Sequence, residues 1–206
     1  MVESNARHES FGQGYRLTPV DKFGIWLNTR KIRATVPTFE GKTVADLGSG
    51  FNASFSRGIL PVVRRAVIVD IALADDLKRH DKITAIEGVL PDALGGIADA
   101  SLDVIVCSNV IEHLWEPLDT LREFSRVLAA GGVAFINVPS WRGKWFLEFS
   151  AFRLGTSPAS EMNDHKMYYD PRDLWPLLVR AGFVPQFIRV GTHKLGLNTF
   201  AICQVR

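Results

Sequence analysis

The sequence predicts an α/β domain built on a doubly wound, mostly parallel sheet. Three observations carry this reading. Short runs rich in Val and Ile recur along the chain, amphipathic helical spacing separates them, and a Gly-x-Gly turn closes the first run. Runs that are apolar throughout suit strands covered on both faces, and their alternation with helices is the pattern of a parallel sheet.

The first element, "TPVDKFGIWLNTRKIRATV", places Phe23, Trp26, Leu27 and Ile32 at helical steps and reads as a helix packed against the sheet. The strands follow as "TVADL" (43–47), "AVIVD" (66–70), "ITAIE" (83–87), "LDVIVCS" (102–108) and "GVAFINV" (132–138). Between the last two lies "EPLDTLREFSRVLAAGG", whose Leu118, Leu121, Phe124, Val127 and Leu128 share one apolar face. Gly131 or Gly132 is expected as its left-handed cap. Residues 139–170 show no strand pattern and are dense in aromatic and basic side chains. "PRDLWPLLVRAGF" reads as a helix started near Pro171, stopped at Gly182, and kinked or restarted at Pro176. "FVPQFIRV" and "LNTFAICQV" read as a closing strand pair.

The 206 residues, 47% hydrophobic and 22% charged, are enough to bury a core without metal or disulfide staples. Cys107 and Cys203 fall in apolar runs and read as small core residues in a reducing compartment. A net charge of +2 gives no electrostatic pointer to nucleic acid. The first twenty residues are polar and lack the apolar core of a signal peptide, and no window approaches the roughly 18 apolar residues of a membrane span. A cytoplasmic location is the expectation, and no metal is expected.

The stretch "VADLGSGFNASFS" (44–56) carries the first functional signal. Gly48 and Gly50 let the backbone turn sharply and let a ligand approach the following helix N-terminus. With Ala53 they also satisfy a Gly-x-Gly-x-x-Ala dinucleotide fingerprint, so two cofactor chemistries stand open. Asp46 discriminates between them. A nicotinamide cofactor would set its pyrophosphate near this carboxylate, and at an effective dielectric of about 20 unit charges about 5 Å apart repel by roughly 3 kcal/mol. S-adenosylmethionine carries an ammonium and a sulfonium instead, for which the same carboxylate is attractive. Asp70 ends the second strand about twenty residues after the turn, where an acid accepts hydrogen bonds from ribose hydroxyls.

"VADLGSG", "VIVDIA" and "SLDVIVCSNVIEHLWEPLDTLREFSRVLAAGGVAFINVPS" together resemble the class I S-adenosylmethionine-dependent methyltransferases, strongly over residues 40–140. The glycan- and small-molecule-modifying members are the most similar. The resemblance implies a Rossmann-like seven-stranded sheet of order 3-2-1-4-5-7-6 with the last strand antiparallel. It implies S-adenosyl-L-methionine as cofactor and S-adenosyl-L-homocysteine as product. By the same resemblance Asp46, Gly48, Ser49 and Gly50 form the first cofactor motif, Asp70 is the ribose acid, and Ile71 packs on the adenine. Phe51-Asn52 departs from the small residues usual after the turn. The third strand's end departs as well: the family usually has an acidic residue after Gly there, near the adenine, whereas the run here is Ile86-Glu87-Gly88-Val89, so Glu87 or a backbone group of Val89 stands in.

Three places could hold the acceptor. Open α/β sheets bind ligands beyond the carboxyl ends of their strands, which brings Ser108, Asn109, Glu112 and His113 near the cofactor. His113 suits a general base, or else caps its loop. This loop lacks the Asn/Asp-Pro-Pro-aromatic motif of base and amide N-methyltransferases, which argues against nucleic acid. In "SEMNDHKMYYDPRDL", His165 is the other candidate base, with Tyr168 and Tyr169 as lining or packing residues. In "WRGKWFLEFSAFRLG", Trp141, Trp145, Phe146, Phe149 and Phe152 with Arg142, Lys144 and Arg153 read as a lid, or as a peripheral membrane contact through residues 141–155. Tyr15 and Arg16 are placed over the cofactor.

The expected organisation is one methyltransferase domain over 1–206. It comprises a helical lead (1–40), a cofactor-binding core (41–140), an inserted lid or acceptor segment (141–170) and a final helix and strand pair (171–206). The expected function is methyl transfer to a small-molecule or sugar/glycan-precursor acceptor, at oxygen. An NAD(P)-dependent oxidoreductase and a non-catalytic cofactor-binding relative stand as the alternatives.

Overall fold

The structure, a computed structural model, describes residues 9–145 and 164–206. Seven strands form one sheet: β1 (Thr43–Leu47), β2 (Arg65–Asp70), β3 (Ile83–Glu87), β4 (Leu102–Ser108), β5 (Leu128–Pro139), β6 (Ile188–His193) and β7 (Asn198–Gln204). Their order is β3-β2-β1-β4-β5-β7-β6, with β7 antiparallel to both neighbours and the other pairs parallel. Fold class and strand order are as expected. The chain leaves β1 toward β2 and β3 on one side and returns to β4 on the other, so β1 and β4 flank the switch point where such sheets bind ligands.

The alternation of side chains along the strands builds two cores. Ala45, Leu47, Val67, Val69, Ile105 and Cys107 face one side, covered by α4 (Pro117–Val127) and α5 (Pro171–Arg180) through Leu121, Phe124, Leu174 and Leu178. Val44, Ala66, Ile68, Val104 and Val106 face the other, covered by Ile32 of α1 (Pro19–Thr35), Ile59 of α2 (Ser54–Ile59) and Leu77 of α3 (Asp75–Lys78). Cys107 and Cys203 are buried free thiols, as read from their apolar runs.

Capping fixes the helices that frame the site. Thr18 and Asp21 make a reciprocal capping box at α1, and Asp170 with Asp173 does the same at α5. Several local expectations need correction. Helix α4 ends at Val127, not at a glycine; Leu128 is already extended and pairs with Leu102, because entering β5 satisfies its backbone. Gly131 is left-handed, but inside the β5 span, where its N–H bonds Val205. Helix α5 runs through Pro176 without restarting, and the segment before β6 is a short 3-10 turn, Pro185–Phe187, not a strand. The helical face predicted for α1 holds only at Ile32. Phe23 and Trp26 are 60% and 51% exposed and stack on each other, ring centroids 5.7 Å apart. Phe146, Phe149, Phe152 and Arg153 of the expected lid lie outside the described residues.

Burial sets the expected response to truncation. Phe124→Ala, at a fully buried position, should lower unfolding free energy by about 3–5 kcal/mol in urea titration, whereas Phe23→Ala should stay within about 0.5 kcal/mol of the parent.

Candidate functional site

The polar strand ends collect on one edge of the sheet, where Asp46, Asp70, Glu87, Ser108, Asn137 and His193 end or nearly end their strands. Beyond β1 the chain turns through Gly48 and Gly50, both left-handed at φ +70° and +73°. A Cβ at Gly48 would overlap Val110, which follows β4, and one at Gly50 would meet the Phe11 carbonyl at 3.1 Å. Glycine is therefore required twice over, by conformation and by space. The Phe51 N–H donates to that Phe11 carbonyl at 2.9 Å, so the N-terminal segment lies on the turn, with the Tyr15 ring edge-on to Phe11 at 6.1 Å.

Asp70 braces the turn. One carboxylate oxygen accepts from the Gly50 N–H and the other from the Ile71 N–H, each at 2.8 Å. Asp46 lies beneath it, 5% exposed, on the face it shares with Val44 and Ile68. The Ser56 hydroxyl donates to it at 2.7 Å. Burial pushes its carboxyl up to about 7, opposed by the Ser56 hydrogen bond and reinforced by the nearby charge of Asp70. This corrects the charge argument made from sequence. At neutral pH Asp46 therefore carries less than a full unit charge, and the repulsion of a phosphate is correspondingly smaller. The donor set still suits a cation, since the side chains that meet at the turn are two carboxyls and a hydroxyl. Arg57, the nearest cation of α2, is held by the Asn52 carbonyl and Asp76.

At the neighbouring strand ends Asp70 stands in register with Glu87, and its carbonyl accepts from the Gly88 N–H at 3.0 Å. The Glu87 carboxylate is turned toward α3, 2.7 Å from the Lys78 ammonium and accepting from the Leu73 N–H at 2.8 Å. The hydrogen bond from Lys78 holds its carboxyl below the usual range. Val89 is 61% exposed beside it. Ser49 lies within the turn, its hydroxyl donating to the Gly50 carbonyl.

Across the switch point Ser108 and Asn109 belong to a network that sequence reading missed. The Asn137 amide donates to Ser108 Oγ (3.1 Å) and Asn109 Oδ1 (3.0 Å), Asn28 of α1 donates to the same Ser108 oxygen, and His193 Nε2 lies 2.6 Å from Asn137 Oδ1. Burial lowers His193 to about 4, helped by Lys194 and Lys31, so its imidazole is neutral at pH 7. These groups come from β4, β5, β6 and α1, and only the sheet brings them together.

The two candidate bases, 52 positions apart in sequence, also meet. His113 closes the 3-10 turn Ile111–His113 after β4, and His165 lies six residues before α5. Their ring centroids are 4.8 Å apart. The backbone carbonyl of buried Glu112 accepts from the N–H groups of Lys166 (2.7 Å) and Met167 (3.2 Å), which pins the second loop onto the first. Asp164 Oδ2 lies 3.0 Å from His113 Nδ1, and its other oxygen accepts from Lys166 Nζ at 2.9 Å. His165 Nδ1 is 3.0 Å from the Tyr168 hydroxyl. Tyr168 and Tyr169 are buried packing residues.

A family model described as a methyltransferase domain matches residues 26–186. The chain belongs to the class I S-adenosylmethionine-dependent methyltransferases. The methyltransferase is 31% identical over 143 residues to a "Probable S-adenosylmethionine-dependent methyltransferase" of Mycobacterium tuberculosis, a match covering 68% of this chain and 47% of the relative. It is 33% identical over 159 residues to a similarly named protein of Mycolicibacterium smegmatis, covering 74% of this chain and 55% of that one. The chain thus spans about half the length of the curated relatives it matches. Its fold is shared with an S-adenosylmethionine-dependent methyltransferase of Archaeoglobus fulgidus, at TM-score 0.64, 16% identity and coverage of 87% and 93% of the two chains. S-adenosyl-L-methionine is accordingly the cofactor, and the nicotinamide reading is set aside. Among the described residues, no helix is long and apolar enough to cross a membrane.

The raised Asp46 pKa has a stability signature. Between its ordinary 3.8 and about 7 the native methyltransferase holds a proton that the unfolded chain has released. The contribution of this group to stability should fall as pH rises through that window and level off above it, by on the order of 4 kcal/mol in total. Asp46→Asn should remove that slope, read as the difference between the pH-stability curves of variant and parent.

Proposed function

We propose that this methyltransferase transfers a methyl group to a hydroxyl of a small-molecule or sugar/glycan-precursor acceptor. The observation that carries the reading is the convergence of His113 and His165, from separate loops, beside the β1–β4 switch point. Bound S-adenosyl-L-methionine supplies a methyl group on a sulfonium, whose sulfur departs as a neutral thioether. The protein's task is then to align the acceptor and to remove the hydroxyl proton.

The residues divide this work by position. Gly48, Ser49 and Gly50 shape the turn that holds the cofactor, and Asp70, already oriented by two backbone N–H groups, accepts hydrogen bonds from its ribose. Ile71, Gly88 and Val89, at the ends of β2 and β3, take the adenine, with Glu87 fixing that corner through Lys78. Ser108 and Asn109 hold the methionine side of the site. Asp46 supplies negative charge from beneath the turn. The His113–His165 cluster is where the acceptor hydroxyl loses its proton, with Asp164 beside His113 Nδ1 orienting that ring. Trp141 and Trp145, 40% and 77% exposed, lie on the helical residues 141–145 and present an apolar rim for the acceptor or for a lipid surface carrying it.

Two measurements test the reading. His113→Ala or His165→Ala should leave S-adenosylhomocysteine affinity unchanged in calorimetric titration while lowering methyl transfer by about 100- to 10,000-fold in an acceptor screen. Asp70→Ala should weaken cofactor binding by about 1–3 kcal/mol. Retention of full turnover by both histidine variants would overturn the assignment.

Asp46 makes a separate prediction. A cation above it favours the carboxylate, so cofactor binding at pH 7 should release about half a proton per site, and affinity should fall about tenfold per unit below pH 6. Titration in buffers of different ionisation enthalpy reads the release directly, and Asp46→Asn should abolish it.

A further inference from the structure

We infer that Glu112, His113 and His165 form a binding site for a divalent first-row transition-metal ion. Each residue offers one ligand atom, and these atoms all lie within 4.8 Å of one another. Two imidazoles and one carboxylate form the donor set of zinc hydrolase sites and of facial iron sites, which leave positions open for water or substrate. Nitrogen donors favour Mn²⁺ through Zn²⁺ over Mg²⁺ or Ca²⁺, which take oxygen ligands.

Three features distinguish this cluster from a chance meeting of polar side chains. Glu112 is fully buried, so its carboxylate is held in a fixed, water-poor setting beside the two imidazoles. The two segments are locked at fixed separation by backbone hydrogen bonds from Lys166 and Met167 to the Glu112 carbonyl, so the ligand spacing does not depend on long, free side chains. Each imidazole also has an outer oxygen neighbour at 3.0 Å on Nδ1, Asp164 for His113 and the Tyr168 hydroxyl for His165. Outer partners of that kind fix ring orientation and tautomer in metal-bound histidines.

The role of the ion rests on the proposed function. Coordinated at the open positions, an acceptor hydroxyl would release its proton to water and meet the cofactor as a metal-held alkoxide. Adjacent open positions suit an acceptor with two neighbouring oxygens, such as a vicinal diol.

The binding test needs no acceptor; the turnover comparison uses one found in the acceptor screen. Full-length protein stripped with chelator is titrated with Co²⁺, followed by its visible d–d absorption, and with Zn²⁺ and Mg²⁺ by calorimetry. One equivalent of Co²⁺ should bind with ligand-field bands, displaced by Zn²⁺, and at least about tenfold tighter than Mg²⁺. His165→Asn and Glu112→Gln should each remove the bands, Asp164→Asn should weaken binding by about 10- to 100-fold, and His80→Ala, away from the cluster, should change nothing. Circular dichroism and melting curves confirm that each variant is folded; partly buried His165 gives the decisive variant if Glu112→Gln fails to fold. Absence of saturable Co²⁺ binding, or bands that survive the substitution of both histidines, would overturn the inference. Turnover that is unaffected by chelator but lost in His113→Ala would sink the metal site and leave the proposed function standing. Stoichiometric metal binding with turnover indifferent to His113 and His165 would do the reverse.

Discussion

Strand direction is the constraint on which the rest of this structure depends. Parallel strands are joined by crossovers that carry the chain back to the same starting edge, so the carboxyl ends of β1 to β5 emerge together. At that edge the backbone stops pairing and polar side chains become affordable. Every group discussed for function stands there: Asp46, Asp70 and Glu87 on one side of the switch point, Ser108, Asn137 and His193 on the other. The antiparallel β7 serves the same end, because its reversed direction lets β6 run alongside β5 and deliver His193 to the common edge.

Within that frame the edge is electrostatically uneven. The β1–β2 side holds two carboxyls, one of them raised to about 7 by burial and only partly relieved by Ser56. The β5–β6 side holds a neutral imidazole lowered to about 4 and a Lys194 ammonium lowered by burial to about 8. One half of the site therefore attracts positive charge and the other resists adding it. A ligand that is cationic at one end and neutral at the other is oriented by this asymmetry before any close contact forms.

The glycine turn was legible because its parts are local. Asp46, Gly48 and Gly50 sit within five residues, and Asp70 follows at the spacing one strand-helix-strand unit imposes. Each histidine was legible alone, as a titratable residue after a strand or before a helix. Their contact was not, because it depends on backbone hydrogen bonds between Glu112 and residues 166–167. The Asn28–Ser108–Asn137–His193 network had no sequence signal, being assembled from four elements by sheet pairing. Asp46 was read from sequence as fully charged, whereas burial raises its pKa, since a strand residue's burial is set by the helix laid over it. Helical spacing in α1 overstated its packing: Phe23 and Trp26 recur at the right interval, yet of the predicted face only Ile32 is buried.

The glycine turn meets the loop after β4 through Val110, but the hydrogen bonds that hold the turn and those that hold the histidine cluster are separate. The turn that follows β1 is braced by Asp70 and Phe11, whereas the histidine cluster is built from the loop after β4 and the residues that precede α5. Exchange of residues 164–168 for another loop would leave Gly48, Gly50 and Asp70 with all their present partners. With the roles proposed above, such a layout permits divergence in what is modified while the donor half stays fixed, and a lineage could sample new acceptors by loop replacement without passing through forms unable to hold the donor.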